Sequence, residues 1–295
     1  MQGAPKISVV MTSYGKAQFI GEAIESVLGQ TLADFELVIV DDCSIDGSRE
    51  IAEEYARRDR RIRIIPNPVR IGFSRSTNVG IRNARGDAVE FIDADDLYSP
   101  QNLEKLFGRM KLEPVPTVVY GDRWRMDPNG KVISRRSHDD PTGWIFGVLL
   151  ARGFGHITAA LIPKECFAKV GLYDESLTWA VDYDFALRLT REFPFAYVNE
   201  QLYGYRVYPE SMTRSTSRMA RLRTQSKIVE KYLRESPRLL SDKQRAKAEA
   251  ELLRFYWITG QRANFVSRGM RTSLGIGIIV RTSGRALLNR LGYGR

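Results

Sequence analysis

Apolar runs of strand length alternate with helix-periodic segments over the first third of this 295-residue chain. The predicted strands are Ile7–Met11, Phe35–Val40, Ile62–Ile65 and Ala88–Ile92. The predicted helices are 19–28, Ser48–Arg58 and one that starts at Ser99 and Pro100. Strand, helix and strand in series form right-handed crossovers. The sequence therefore predicts an α/β fold with a mostly parallel, Rossmann-like central sheet flanked by helices.

The rest of the chain divides into an irregular connection and a helical C-terminal part. The segment 124–155 carries Pro, Gly and Asp with little periodicity, and we expect it to be irregular and to face the substrate. From Ser215 the pattern is helical, with Ser241 capping a segment that runs through Phe265. The run 274–280 falls short of the roughly 20 apolar residues that a membrane span needs. We predict a main domain over 1–213 and a basic helical extension over 214–295.

Positive charge is concentrated in the C-terminal extension. Residues 214–295 contain 19 Lys plus Arg against 5 Asp plus Glu, or +14, whereas the whole chain carries +10. Such a tail suits an anionic membrane or a phosphate-bearing substrate, and a solvated helix face or an oligomer interface explains it equally well. The two cysteines match no metal spacing, and the residues before Ile7 leave no room for a signal peptide. We therefore expect a cytoplasmic protein, with the tail as a candidate peripheral contact to the inner face of the membrane.

Carboxylates follow the second predicted strand. Asp41 and Asp42 are adjacent in the sequence, and their like charges repel each other unless a ligand interacts with them. Ligands of such sheets bind beyond the carboxyl ends of the strands, where a carboxylate can accept a base N–H or a ribose hydroxyl. Ser44 and Asp46, which follow, fit an ordinary helix cap or turn.

The fourth predicted strand runs straight into Asp93, Asp95 and Asp96. Three adjacent carboxylates repel one another without a cation, whereas a hard divalent ion takes the same oxygens as ligands and bridges them to a diphosphate. A chance acidic turn is the alternative, because acidic loops are common.

Asp182 stands at the predicted start of a helix whose apolar positions include Phe185 and Leu189. A helix N-cap role explains this residue without catalysis. A carboxylate is also a competent general base for a sugar hydroxyl within hydrogen-bond reach. The residue pattern alone leaves both interpretations open.

These clusters, in this order and at these separations, resemble glycosyltransferase family 2, whose members are inverting enzymes of the GT-A fold. Four stretches are similar to the family's motifs: ISVVMTSY from Ile7, AIESVLGQT from Ala23, VDDCSIDGS from Val40, and NVGI with ARG from Asn78. The similarity extends over roughly residues 5–213. It implies a GT-A domain with a nucleotide-sugar-binding half over about 1–97 and an acceptor-binding half over about 98–213.

The resemblance implies transfer of a sugar from a nucleotide diphosphate donor, with UDP favoured, in bacterial-type surface polysaccharide or glycoconjugate synthesis. The acceptor would be a glycan, a lipid-linked saccharide or another saccharide. The residues that would bind the nucleotide are Thr12, Tyr14 and Asp42, with Asp41 nearby. Asp93 would contact the ribose or the metal, Asp95 would hold Mn²⁺ or Mg²⁺, and Asp182 would be the catalytic base.

The chain departs from the family pattern at three places. The acidic pair before the last helix keeps only the member that matches the base, Asp182. The family's Tyr-Arg-x-His stretch ends here in Tyr208, so Tyr208 or His156 would have to replace the metal-site histidine. Thr77 stands where the family has an arginine, and Arg75 is the candidate substitute for diphosphate contacts.

Other functions fit parts of the sequence. A nucleotidyltransferase would use the same aspartates and a metal, but neither G-x-G-x-x-G nor G-x-x-x-x-G-K-[ST] occurs. A nucleic-acid-binding protein would suit the basic tail, which has few interleaved aromatics and no recognised motif, so we expect no specific nucleic-acid partner. An inactive member of the fold agrees with the lost histidine but not with the retained aspartates. A membrane-spanning polysaccharide synthase is disfavoured by the missing spans and the missing Gln-x-x-Arg-Trp motif.

Overall fold

The computed structural model describes residues 4–135, 141–152, 159–209, 211 and 217–269. Its strands, numbered β1 to β9 in chain order, are Ile7–Ser13, Phe35–Asp41, Ile62–Pro66, Ala88–Asp93, Leu97–Tyr98, Val118–Met126, Val132–Arg135, Ala160–Pro163 and Phe195–Arg206. Its α-helices, numbered α1 to α10, are Ile20–Leu28, Ser48–Arg58, Phe73–Asn83, Asn102–Met110, Phe146–Arg152, Lys164–Val170, Val181–Glu192, Arg218–Glu235, Asp242–Ile258 and Arg262–Gly269. These elements form two compact units, one with all the strands and the other with α5 and α8–α10.

In the larger unit, the described strands form one nine-stranded sheet in the order β3-β2-β1-β4-β8-β6-β9-β5, with β7 paired to β6. Strands β1 to β4 pair in parallel, and β6 is parallel to β9. The β4–β8, β5–β9, β6–β7 and β6–β8 pairs are antiparallel. The predicted α/β fold is confirmed, and the sheet is parallel in its N-terminal half and mixed beyond it.

The buried core follows from the periodicities of the sequence. All seven residues of β2 are buried, as expected for a parallel strand covered on both faces. Helix α1 buries Ile20, Ala23, Ile24 and Val27, which lie on one face at helical spacing. Each large apolar side chain removed from water in this way stabilises the fold by roughly 1.5–3 kcal/mol. The predicted helix Ser48–Arg58 is confirmed as α2.

The expectation that 124–155 is irregular is wrong for much of that segment. Strand β6 continues to Met126 because it pairs with β9 as far as Arg206, and β7 then pairs back onto β6. Farther on, α5 buries Phe146 and Leu150, which are one helical turn apart. These short elements alternate so rapidly that no sequence window contains enough repeats to reveal a period.

Two further helices differ from the sequence prediction. The helix expected from Ser99 and Pro100 begins at Asn102, whose N–H donates to the Ser99 carbonyl oxygen at 3.0 Å. Helix α3 was not predicted, because it is rich in residues with weak helix propensity. Its buried face includes Ser76 and Asn78, and hydrogen bonds satisfy both side chains.

In the smaller unit, Ser241 caps α9 as predicted. Its hydroxyl accepts from the Gln244 N–H at 3.3 Å, and the Gln244 side chain accepts from the Ser241 N–H at 2.9 Å. The predicted segment through Phe265 is interrupted, because Gly260 adopts a left-handed φ of 74° and ends α9. Phe265 lies in α10 instead.

Helix α8 contributes the apolar interior of this smaller unit. It buries Ile228, Val229, Tyr232 and Leu233, and the Tyr232 ring packs edge-on against Phe146 of α5 at 6.0 Å between centroids. Within the described part of the chain, no helix combines the length and the apolar character that a membrane crossing requires. The run 274–280 lies outside the described residues.

Candidate active site

The predicted nucleotide and metal residues lie at one edge of the parallel sheet. The strand register places Thr12 of β1 beside Asp93 of β4, and Ser13 beside Asp41 of β2. Since parallel strands end at the same edge, Thr12 is a neighbour in space of the predicted clusters that follow β2 and β4. This edge is the expected ligand site of such a sheet.

Asp93, Asp95 and Asp96 each offer a carboxylate oxygen, and these oxygens lie within 4.8 Å of one another. The two oxygens of Asp96 already accept hydrogen bonds, one from the Tyr203 hydroxyl and one from the Arg206 N–H, each at 2.7 Å. Asp93 and Asp95 are therefore the better candidates for metal ligands. Closely spaced hard oxygens are the donor set that Mg²⁺ and Mn²⁺ prefer, so these residues fit a divalent ion.

The electrostatics of this cluster favour a cation. Burial, and after it the charge of the neighbouring Asp95, raise the pKa of Asp93 to about 7, although Lys16 opposes the shift. Burial together with Asp95 and Asp93 raises the pKa of Asp96 well above its ordinary value. The repulsion between these shielded carboxylates costs free energy in the folded chain. A bound divalent ion would offset that cost.

Asp95 is hydrogen-bonded to two side chains from distant parts of the sequence. The Lys16 ammonium donates to its Oδ2 at 2.6 Å, and the Tyr208 hydroxyl donates to the same oxygen at 2.5 Å. The Lys16 ammonium also donates to the Tyr208 hydroxyl. Burial disfavours the ammonium, but its interactions with Asp95 and Tyr208 dominate, so the pKa of Lys16 is raised above its ordinary value.

Arg206, the last residue of β9, fastens the loop that carries Asp95. Its guanidinium is fully buried and donates to the carbonyl oxygens of Asp95 at 2.8 Å and Pro128 at 2.6 Å. It also forms an ion pair with Glu22 at 2.7 Å. Together with the Arg206 N–H on Asp96, these contacts fix the backbone between the candidate metal ligands.

Asp182 is the second residue of α7, and the N-cap position belongs to Ala180. The N-cap interpretation of Asp182 is therefore wrong. Ala180 has a left-handed φ of 54°, which is uncommon for a residue with a side chain. The Asp182 Oδ1 accepts from the Tyr183 N–H at 2.9 Å. Burial raises the pKa of Asp182, and its charge in turn raises the pKa of Asp93, so the two carboxylates interact.

The adjacent aspartates after β2 have different environments. Asp42 accepts three hydrogen bonds from the β3–α3 connection, from the Asn67 side chain and from the N–H groups of Ile71 and Gly72. Asp41 accepts from the Ser44 N–H at 3.2 Å through one oxygen. Its other oxygen, Oδ1, is buried without a hydrogen-bond partner among the residues that the structure describes. Asp41 therefore retains an unused acceptor, whereas Asp42 organises a loop.

Two of the other predicted site residues, Tyr14 and Arg75, lie at the surface. The Tyr14 side chain is 41% exposed, and the Arg70 guanidinium stacks over its ring at 3.9 Å. Arg75 of α3 is exposed and forms an ion pair with Glu175 at 3.4 Å. His156 lies outside the described residues, so only Tyr208, of the two candidates for the missing histidine, is placed against Asp95.

Sequence reasoning missed the contributions of Lys16 and Arg206. Lys16 lies in a polar loop between β1 and α1, where a lysine is unremarkable in the sequence. Arg206 belongs to the stretch that resembles the family's Tyr-Arg-x-His motif, which was the available signal. Their separations from Asp95, 79 residues for Lys16 and 111 for Arg206, explain why no local pattern reveals the contacts.

The family profile for "Glycosyl transferase family 2" matches residues 8–170, more than half of the chain. The chain belongs to glycosyltransferase family 2. It is 33% identical over 218 residues to the uncharacterised glycosyltransferase EpsJ of Bacillus subtilis, a match that covers 71% of this chain and 63% of EpsJ. It is 32% identical over 209 residues to an uncharacterised glycosyltransferase of Methanocaldococcus jannaschii, covering 69% of this chain and 71% of the relative. The chain thus spans less than two thirds of EpsJ.

Solved structures show the same fold at low sequence identity. TarS of S. aureus superposes with a TM-score of 0.64 at 20% identity, covering 85% of this chain and 43% of TarS. Residues 1–349 of TarS in complex with UDP give a TM-score of 0.62 at 18% identity, covering 91% of this chain and 76% of that one. The mannosyltransferase PcManGT from Pyrobaculum calidifontis, in complex with GDP-Man and Mn²⁺, gives 0.63 at 18% identity, covering 99% and 83%. These likenesses establish the fold of this glycosyltransferase as GT-A-type.

Proposed function

We propose that this family 2 glycosyltransferase is a metal-dependent inverting enzyme that transfers a sugar from a nucleoside diphosphate donor to a saccharide acceptor. The observation that carries the proposal is the group of Asp93, Asp95 and Asp96, whose oxygens lie within 4.8 Å at the carboxyl end of β4. The complexes of its structural neighbours with UDP, and with GDP-Man and Mn²⁺, support the same ligand class.

The nucleotide would bind over the ends of β1 and β2. Asp41 offers its buried, unpaired Oδ1 as an acceptor for a base N–H or a ribose hydroxyl. Asp42 supports this position indirectly by holding the β3–α3 connection. Tyr14, stacked with Arg70, presents an exposed ring that can pack against a planar base. Thr12 and Arg75 remain proposed contacts to the nucleotide and the diphosphate. Uracil is the base we propose.

Asp93 and Asp95 would hold the divalent ion. When bound, such an ion supplies charge stabilisation to the departing diphosphate. The residues of this chain do the rest: Arg206 fixes the loop, and Tyr208 holds the orientation of the Asp95 carboxylate. Tyr208 is therefore our candidate for the position that the family's histidine occupies.

Asp182 would take the proton from the acceptor hydroxyl as that oxygen attacks the anomeric carbon. Inversion requires one in-line displacement, so a single base suffices. Burial makes Asp182 a stronger proton acceptor than an exposed aspartate, because it raises the pKa of the carboxyl. The interaction between Asp182 and Asp93 supports a position close to the donor site.

The acceptor and the location of the enzyme are further parts of the proposal. We propose a cytoplasmic enzyme of glycoconjugate or surface polysaccharide synthesis, in agreement with free Cys43 and Cys166. The +14 charge of residues 214–295 supports a peripheral contact with anionic lipid, where a lipid-linked acceptor would be present. Homo-oligomerisation through the C-terminal helices is the competing proposal.

Calorimetric titration with UDP and GDP, in Mn²⁺ and in EDTA, tests the donor site. We expect the wild-type chain to bind UDP or GDP more tightly in Mn²⁺ than in EDTA. Asp95→Ala should lose this Mn²⁺-dependent increase in affinity and keep the unfolding temperature of the wild type. Asp127→Ala, in the turn after β6, is a matched control that should keep the increase. Unchanged Mn²⁺ dependence in Asp95→Ala contradicts the metal assignment. Conversion of a UDP-sugar and pyrophosphate to UTP and a sugar 1-phosphate, without release of UDP, would favour a nucleotidyltransferase.

A further inference from the structure

Lys16 is bonded to the side chain that is the prime candidate for holding the metal. Its ammonium lies 2.6 Å from the Asp95 Oδ2, and both side chains are largely shielded from water, with exposed fractions of 21% and 13%. The ammonium also lies 5.1 Å from the centre of the Tyr208 ring. Because both side chains are shielded and the ammonium also contacts Tyr208, this ion pair is stronger than an exposed surface pair.

The backbone around Lys16 is fastened, although its side chain is flexible. The Lys16 N–H donates to the Ser48 hydroxyl at 2.7 Å, and the Ala17 N–H donates to Asp46 at 2.9 Å. The Gly15 N–H donates to the Ser44 hydroxyl at 3.2 Å. The β1–α1 loop is thereby fixed to the β2–α2 loop. A four-carbon stem on a fixed base keeps the ammonium close to Asp95 but leaves it free to move by a few ångströms.

Lys16 and a divalent ion held by Asp95 would share one carboxylate. Two cations on one carboxylate repel each other strongly in a shielded site. A metal bound by Asp95 would therefore displace the ammonium by a few ångströms, which the flexible stem permits. The diphosphate of the donor would be the anion nearest to the displaced ammonium, because an ion held by Asp95 would also attract the diphosphate.

We propose that Lys16 is a second, protein-borne cation for the donor's diphosphate, which rests on Asp95 without the metal and moves to the diphosphate with it. The inference rests on the proposed function and deepens it, since it assigns a diphosphate ligand at that site. This movement of Lys16 couples the affinity for the metal to the affinity for the nucleotide. Lys16 weakens metal binding to the free enzyme and strengthens donor binding to the metal-loaded enzyme.

Two binding measurements on Lys16→Met test this with opposite expected signs. Electron paramagnetic resonance of free Mn²⁺ reports metal affinity without nucleotide, which we expect to rise several-fold in the variant. Calorimetry in saturating Mn²⁺ reports UDP affinity, which we expect to fall roughly tenfold or more, the equivalent of one charge-assisted hydrogen bond. Uridine, which lacks the diphosphate, should bind both proteins equally.

Two further variants separate this role from a structural one. Lys16→Arg keeps the cation and should keep UDP affinity near that of the wild type. Lys105→Met removes a lysine whose partner is Glu200 at 2.8 Å, away from Asp95, and should change neither affinity. A purely structural role predicts that Lys16→Met lowers Mn²⁺, UDP and uridine affinity together, and this result overturns the proposal.

The failure of this inference is distinguishable from failure of the proposed function. If the wild-type chain binds neither UDP nor GDP in Mn²⁺, the donor site itself is wrong. If the wild type binds UDP and Lys16→Met matches it in both titrations, only the role of Lys16 is wrong.

Discussion

Glu90, in the middle of β4, is a fully buried carboxyl whose ionisation should control the stability of the fold. Burial raises its pKa to about 8, and the neighbouring Asn102 and Tyr98 side chains partly oppose the shift. The Asn102 amide donates to its Oε1 at 2.8 Å. The Glu90 Oε2 and the Asn102 Oδ1 are both buried without partners among the described residues. Protonation makes Glu90 a donor as well as an acceptor and removes a charge that the core does not solvate.

The effect on stability follows from the difference between the folded and unfolded pKa values of Glu90. The pKa is raised on folding, so the folded chain binds the proton more tightly from about pH 4.5 to about 8. The contribution of Glu90 to stability is therefore complete below about pH 4.5 and falls as the pH rises towards 8, because ionisation must occur inside the core. At 1.36 kcal/mol per pH unit, the loss reaches roughly 4–5 kcal/mol as an upper bound.

Glu90→Gln isolates this effect, because glutamine has the shape and the donor of the protonated acid. Urea unfolding at pH 5, 6, 7 and 8 gives the free energy of unfolding for both proteins. We expect the free energy of unfolding of the variant to rise relative to that of the wild type, by roughly 3 kcal/mol between pH 5 and pH 8. Glu104→Gln, on the exposed side of α4, is the control and should run parallel to the wild type. Parallel curves for Glu90→Gln would refute a buried, titrating Glu90.

Two other substitutions test the support of the site and of the sheet. Arg206→Met removes the bonds to the Asp95 and Pro128 carbonyls, so we expect a loss of about 2–4 kcal/mol in urea unfolding and a weakened Mn²⁺-dependent UDP affinity by calorimetry. A normal UDP affinity would show that the loop holds its geometry without the guanidinium. Gly86→Ala would place a methyl group 2.6 Å from the β1 backbone and should cost roughly 1–3 kcal/mol, whereas Gly108→Ala, with open space around it, should stabilise α4 by up to about 1 kcal/mol. Equal thermal shifts for the two alanines would contradict the close packing at Gly86.

The parallel half of the sheet and the edge that carries the site follow from local sequence patterns. Strands β1 to β4 are mostly apolar. β1 and β2 are buried along nearly their whole length, whereas β3, at the edge of the sheet, is mostly half-buried. The carboxylates that end β2 and β4 are adjacent to those runs in the chain, so the strand prediction also places Asp41 and Asp93. For this part of the chain, the hydrophobic pattern and the residues that follow each apolar run were sufficient to predict the strands and the edge with the site.

The elements that escaped prediction are held by contacts between distant residues. Helix α3 buries polar side chains, and its Asn78 satisfies the backbone of Tyr173, 95 residues away. The arrangement around Asp95 depends on Lys16 and Tyr208, which approach from opposite ends of the domain sequence. Hydrophobic periodicity contains no information about such polar contacts, which appear only when the chain is folded.

The rate of UDP release from a UDP-sugar, with wild type and Asp182→Asn compared in saturating Mn²⁺ and acceptor, tests the catalytic assignment most directly. Asparagine keeps the shape of the side chain but cannot take a proton. We expect release to be Mn²⁺-dependent in the wild type and slower by roughly 10²- to 10⁴-fold in the variant, with the affinity for UDP unchanged. Release at the wild-type rate by Asp182→Asn would remove this residue from the mechanism and contradict a single-base inverting transfer at this site.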